Sequence, residues 1–199
     1  MTGPKTLMQM AGANLAPPSL GDSAVVVIDA QREYVDGKVV LPAVGPALTA
    51  LAALLDKARR AGAPVIHVAH RGNPNGLFDP AGPGYAFADQ AKPAAGERAI
   101  DKRLPNAFAG TELEKLLRES KRTSLIFAGF MTHMCVSSTV RAALDLGFKS
   151  TVVSDACATR DLPDPLGGAP LAAAELHRAS LAALADRFAV ICRAADIGA

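Results

Sequence analysis

Residues 124–147 read S-L-I-F-A-G-F-M-T-H-M-C-V-S-S-T-V-R-A-A-L-D-L-G. Ser124–Ala128 is a short, nearly continuous apolar run, the pattern a parallel strand needs when both of its faces are covered. Gly129 opens a turn. Val136, Val140, Ala143 and Leu144 then recur at helical spacing until Gly147 supplies a stop. The stretch therefore predicts one strand–turn–helix unit, with Cys135 in the first turn of the helix.

The same alternation extends in both directions. Ser23–Ile28 is an apolar run ending at Asp29, followed by a helix with Leu48, Leu51, Leu54 and Leu55 on one side and Gly62 at its end. Pro64–Ala69 predicts a second strand, Lys149–Ser154 and Phe188–Cys192 two more, and Pro170–Ala185 an alanine-rich helix. Between Arg71 and Arg98 lie five glycines and four prolines, which read as a long connection serving as a lid or an interface. Lys102 precedes a short helix, which Thr111 and Glu114 open at capping-box spacing. Strands alternating with helices predict an α/β fold: a doubly wound, mostly parallel six-stranded sheet with helices on both faces, a Rossmann-like three-layer sandwich. Five of the strands are assigned to residues by these runs. In such sheets ligands bind beyond the carboxyl ends of the strands, near the point where strand order reverses. Asp29 and the 129–135 turn both lie at such ends.

Length and composition bound the alternatives. A chain of 199 residues suits one core, so residues 1–22 read as an N-terminal arm and 23–199 as a single domain. Half of the residues are hydrophobic, yet every apolar run is interrupted by charge or proline before reaching the ~18 residues of a membrane span. Twenty-one Lys and Arg against nineteen Asp and Glu give a net charge of +2 with no block of like charge, which argues against nucleic acid as a partner. The three cysteines, 135, 157 and 192, do not suit a disulfide framework. The N-terminal stretch lacks a secretory pattern, and the location expected on these grounds is the cytoplasm.

The chemistry-bearing residues are an acid, a base and a thiol. Cys135, at a strand-to-helix turn, is placed where unpaired N–H groups and the helix dipole favour a thiolate nucleophile; the alternative is a small buried hydrophobe. Asp29 ends a strand, where it either reacts or caps a turn. Lys102 alone reads as a surface lysine.

Three separated motifs join them. An apolar strand ends in Asp29-x-Gln31; Lys102 is followed by Ala107-Phe108 and Gly110-Thr111; and Gly129, Thr132 and Cys135-Val136 precede Thr139, Ala143 and Gly147. In these motifs, across roughly residues 23–192, the chain resembles the isochorismatase-like cysteine hydrolase superfamily, which includes nicotinamidases, N-carbamoylsarcosine amidohydrolases and ureidoacrylate amidohydrolases. The resemblance implies a catalytic triad: Cys135 as nucleophile, Asp29 as general acid/base, and Lys102 as the cation that positions Asp29. It further implies an oxyanion hole of the Met131 and Cys135 N–H groups, a cis peptide between Phe130 and Met131, and substrate contacts from Gln31 and Tyr34.

The remaining polar residues are weighed beside these. His67 and His70 lie three apart on a strand and so face opposite ways, which argues against a shared metal. Nicotinamidases of the resembled superfamily bind metal through an Asp-x-His element that this chain lacks, so the resemblance argues against a metal and against nicotinamide as substrate. His133 reads as a neighbour of the nucleophile rather than its base. Cys157 either enters the pocket or packs, and Cys192 is a core residue. No nucleotide-loop pattern is present, and no cofactor is expected. The resulting expectation is a homo-oligomeric enzyme hydrolysing a C–N bond of a small amide, ureido or carbamoyl compound through a thioester. Two alternatives remain: an isochorismatase-type vinyl-ether hydrolase, and a non-catalytic thiol-sensing scaffold of the same fold.

Overall fold

The computed structural model describes residues 3–198. Its centre is the apolar run Ser23–Ile28, which forms β1 with all six residues buried. On one side β1 pairs in parallel with β2 (Val65–His70), and β2 with β3 (Arg98–Lys102). On the other side it pairs with β4 (Ser124–Phe130), followed by β5 (Lys149–Ala158) and β6 (Val190–Cys192). The order is β3-β2-β1-β4-β5-β6, and every pairing is parallel. Strand order reverses between β1 and β4.

Alternation along the strands divides the core in two. Val25 and Val27 face helix α2 (Val44–Arg60), where Leu48, Leu51, Leu54 and Leu55 are buried. Ala24, Val26 and Ile28 face the other way, toward Leu113 and Leu117 of α3 (Leu113–Glu119) and Val140 and Ala143 of α4 (Ser137–Asp145). Leu184 of α5 (Ala173–Arg187) completes that layer. Burying a leucine contributes about 1.5–3 kcal/mol, so the α2 stripe alone secures one face of the sheet. Gly62 ends α2 at φ +65°, the left-handed cap its position predicted. Leu7–Met10 forms α1, a single helical turn, and Leu7 N–H donates to Asp186 of α5.

Three local expectations need correction. Arg98–Lys102, assigned no strand from sequence, is the edge strand β3; with Arg98, Ala99 and Asp101 exposed it lacks the apolar run that marks a buried strand. Thr111 and Glu114 form no capping box. The Thr111 hydroxyl instead donates to Ala107 O and accepts from Leu113 N–H, while Glu114 pairs with Arg118. The turn holding Cys135 is π-helical over Thr132–Val136, and α4 begins only at Ser137. Among the described residues no helix is long and apolar enough to cross a membrane.

Candidate active site

Backbone geometry at the reversal point aims the three residues at one spot. Asp29 N–H still donates to Val68 O at 2.8 Å, continuing the β1 ladder, but φ of +48° turns the chain sharply out of the strand. A non-glycine residue in the left-handed region is uncommon and is found where surrounding structure enforces it. Gly129 sits at φ +114°, pressed so close to β1 that a Cβ would overlap the Ile28 carbonyl oxygen. The Phe130–Met131 peptide that follows is cis. The π-helical turn then carries Cys135, whose carbonyl accepts from the Thr139 hydroxyl at 2.7 Å. That hydroxyl also accepts from Ala107 N–H at 2.9 Å, tying α4 to the segment after Lys102.

Lys102 ends β3 directly opposite His70 in the β2 ladder. Its ammonium meets three partners: Asp29 Oδ2 at 2.8 Å, Cys135 Sγ at 3.2 Å and His70 Nδ1 at 3.2 Å. An ammonium has three protons and nothing to accept with, so these contacts use its full capacity. They also require that Nδ1 of His70 be unprotonated, with the ring proton on Nε2. The Lys102 and Asp29 side chains are both 0% exposed, and this ion pair is the short polar contact of the carboxylate among the described residues.

Burial sets the protonation balance. Desolvation raises the Asp29 carboxyl above its ordinary value, against the lowering effect of the Lys102 charge. Burial, and then the negative charge of Asp29, push the Cys135 thiol up to about 12, again opposed by Lys102. Burial and the Asp29 charge thus act against the thiolate that a helix N-terminus favours, and the Lys102 charge acts for it. The carboxylate, made more basic than usual by burial, shares the Lys102 ammonium with the thiol.

Cys135 opens onto a cavity of about 500 Å³, within the range of small-molecule sites. Tyr34 lines it, as does Met131. The Tyr34 ring packs edge-on against Phe78 at 5.1 Å and Phe130 at 5.9 Å, and its hydroxyl is held above the ordinary phenol value by burial. Gln31 does not line the cavity. Its carboxamide is consumed by backbone, with Nε2 donating to His70 O and Tyr85 O and Oε1 accepting from His70 N–H, so the expected substrate contact is replaced by a strut.

Other sequence expectations resolve in detail. His67 points away from the cavity, its Nε2 2.9 Å from Glu97 Oε2. His133 Nδ1 bonds the Thr159 hydroxyl. Cys157, drawn opposite Gly129 by a register shift in β5, packs in the core, as does Cys192. Among the described residues no group of three or more His, Cys, Asp or Glu side chains is placed to hold a metal ion.

The structure also brings in residues that sequence reasoning passed over. The 71–98 connection delivers Leu77 and Phe78 to the cavity wall. Buried Glu33 clasps that connection, its Oε1 accepting from Lys38 N–H at 2.8 Å and its Oε2 from Phe78 N–H at 3.4 Å. His70, Lys38 and Arg160 line the cavity as well. The pairing of β2 with β3, which was not assigned from sequence, is what sets His70 opposite Lys102.

Comparison with known proteins agrees with this architecture. Residues 23–196 match the Isochorismatase domain. A secreted isochorismatase effector of Verticillium dahliae is 34% identical over 94% of this chain and 96% of its own length. A streptothricin hydrolase of Streptomyces noursei is 32% identical over 98% of this chain and 79% of its own. The crystal structure of an isochorismatase from Pseudomonas putida KT2440 superimposes with a TM-score of 0.93 at 42% identity, covering 98% of this chain and all of the other. A matched domain over most of the sequence, and relatives at this identity along nearly its full length, place the chain in the isochorismatase family of hydrolases.

Proposed function

We propose that this hydrolase cleaves a C–N bond of a small amide, ureido or carbamoyl compound, with Cys135 as nucleophile. The observation that carries the reading is the contact set of Lys102, whose Nζ lies 2.8 Å from Asp29 Oδ2 and 3.2 Å from Cys135 Sγ, the thiol that lines the cavity. In the proposed cycle Asp29 takes the thiol proton as sulfur attacks the carbonyl carbon. The N–H groups of Met131 and Cys135 serve the developing oxyanion, a contribution usually worth about 2.7–4 kcal/mol per donor. Asp29 returns the proton to the departing nitrogen, leaving a thioester. Asp29 next deprotonates the attacking water, and the acid product and the thiol are released. Lys102, in contact with both groups, compensates whichever of carboxylate or thiolate is ionised.

The test is ammonia release from a panel of small amides, ureido acids and nicotinamide, comparing wild type with Cys135→Ala and adding a chelator control. Release that depends on Cys135 and resists the chelator supports the reading. Vinyl-ether hydrolysis that persists in Cys135→Ala overturns it in favour of a cysteine-independent hydrolase, and a rapidly alkylated thiol without turnover favours a thiol sensor.

A further inference from the structure

The turn that carries Cys135 has an anchor outside the cavity. Met131 O collects two of the turn's N–H groups, from Met134 at 3.0 Å and Val136 at 3.2 Å, and Thr132 O accepts from Ser137 N–H. Whatever fixes Met131 and Thr132 therefore fixes the rest of the turn, Cys135 N–H included. A π-helical turn is rare backbone, found mostly as a single turn at functional sites.

The side-chain anchor of this turn is the Thr132 hydroxyl. Thr132 is fully buried, and its Oγ1 lies 3.1 Å from Ala158 O on β5 and 2.9 Å from Nδ1 of His177 on α5. A hydroxyl has one proton and two lone pairs. It donates to the carbonyl while accepting from a protonated Nδ1, or it donates to an unprotonated Nδ1; in both arrangements the imidazole decides where the hydroxyl points. The helix gives His177 a fixed seat: Leu184 is the buried residue of α5, and His177, seven positions earlier, lies on the same face. His177 does not line the Cys135 cavity but borders two outer grooves beside Ser154 and Asp155, so its route to the chemistry is Thr132.

We infer that His177 is a positioning residue: by holding the Thr132 hydroxyl it sets the turn whose Met131 and Cys135 N–H groups meet the developing oxyanion. The inference rests on the proposed function, which gives those N–H groups that task, and adds to it a residue from outside the cavity.

The experiment compares His177→Ala, His177→Asn and His177→Gln in the full chain. The Asn carboxamide reaches the place of Nδ1, whereas that of Gln reaches the place of Nε2, so Asn alone restores the contact with Thr132. Hydrogen–deuterium exchange read by mass spectrometry needs no substrate. In His177→Ala and His177→Gln the peptide spanning residues 131–137 should exchange roughly three- to tenfold faster, the size of one lost hydrogen bond, with the β1 peptide 23–28 unchanged and His177→Asn close to wild type. Kinetics on the best substrate of the amide panel should follow the same order, with kcat lowered by a similar factor in His177→Ala and His177→Gln while KM stays within about twofold of wild type, because the N–H groups act on the transition state. Equal behaviour of the Asn and Gln variants overturns the inference by making His177 a packing residue. Exchange that accelerates in β1 as much as in the turn overturns it by making His177 a prop of the whole fold, and a loss confined to KM overturns it as well. If wild type turns over no member of the panel, the proposed reaction falls, and the exchange pattern still decides whether His177 holds the turn.

Discussion

His70 and Lys102 are register partners on β2 and β3, and their side-chain nitrogens meet 3.2 Å apart. The histidine is an acceptor for the buried Lys102 ammonium, which also touches Asp29 and Cys135. Burial, then the charges of Lys102 and Arg103, hold this imidazole down to about 4. Its folded value lies below the unfolded value of about 6.5, so the unfolded chain binds more protons between them. The stability His70 contributes is therefore fully present above pH ~6.5 and is lost as pH falls through about 4. Urea midpoints measured at pH 7 and pH 4.5 should differ less in His70→Gln than in wild type. Part of the acid sensitivity should persist, because His67, His133 and His177 are also held low by burial. An unchanged difference would show that His70 is not held neutral.

The ion pair of Lys102 and Asp29 separates stability from chemistry. Asp29→Asn leaves a buried ammonium without its counter-charge, a loss of about 3–5 kcal/mol. Combining it with Lys102→Met removes both charges and should recover most of that stability by denaturant unfolding. Turnover should not recover, since neither proton acceptor nor cation remains; both variants should stay at least ~10³-fold below wild type. Recovery of turnover in the double variant would exclude Asp29 as the base.

Gln31 should behave as a strut. Its buried carboxamide satisfies His70 N–H, His70 O and Tyr85 O. Gln31→Ala leaves buried backbone groups unpaired, costing about 1–3 kcal/mol each where water cannot reach them. A lowered unfolding midpoint is expected, together with a comparable loss for every substrate tested. A change confined to one substrate would restore Gln31 as a direct contact.

Gly129 admits no side chain. Both its φ of +114° and the Ile28 carbonyl oppose a Cβ, so Gly129→Ala should cost roughly 3 kcal/mol or more, from strain and overpacking together. The control Gly147→Ala keeps a positive φ but meets no atom within 4 Å, and should cost about 1–2 kcal/mol. Equal losses at the two sites would mean that the β1–β4 approach is not what demands glycine.

The sequence by itself determined the parallel α/β architecture, because buried parallel strands and amphipathic helices are written in local periodicity. V-V-V-I before Asp29 and L-I-F-A before Gly129 announce strands wherever they occur. It also determined which acid, base and thiol to watch, since their motifs are contiguous. Tertiary structure decided what depends on distant neighbours. It made Arg98–Lys102 an edge strand, a role that polar residues take only when a partner strand is already in place. It turned Gln31 from a contact into a strut, recruited His70, Glu33 and Arg160 from distant segments, and set burial and the Asp29 charge against the Cys135 thiolate that a helix terminus alone favours. The reason is the same in each case: desolvation and charge pairing are set by what packs around a group, and that packing is assembled from residues tens of positions apart in the chain.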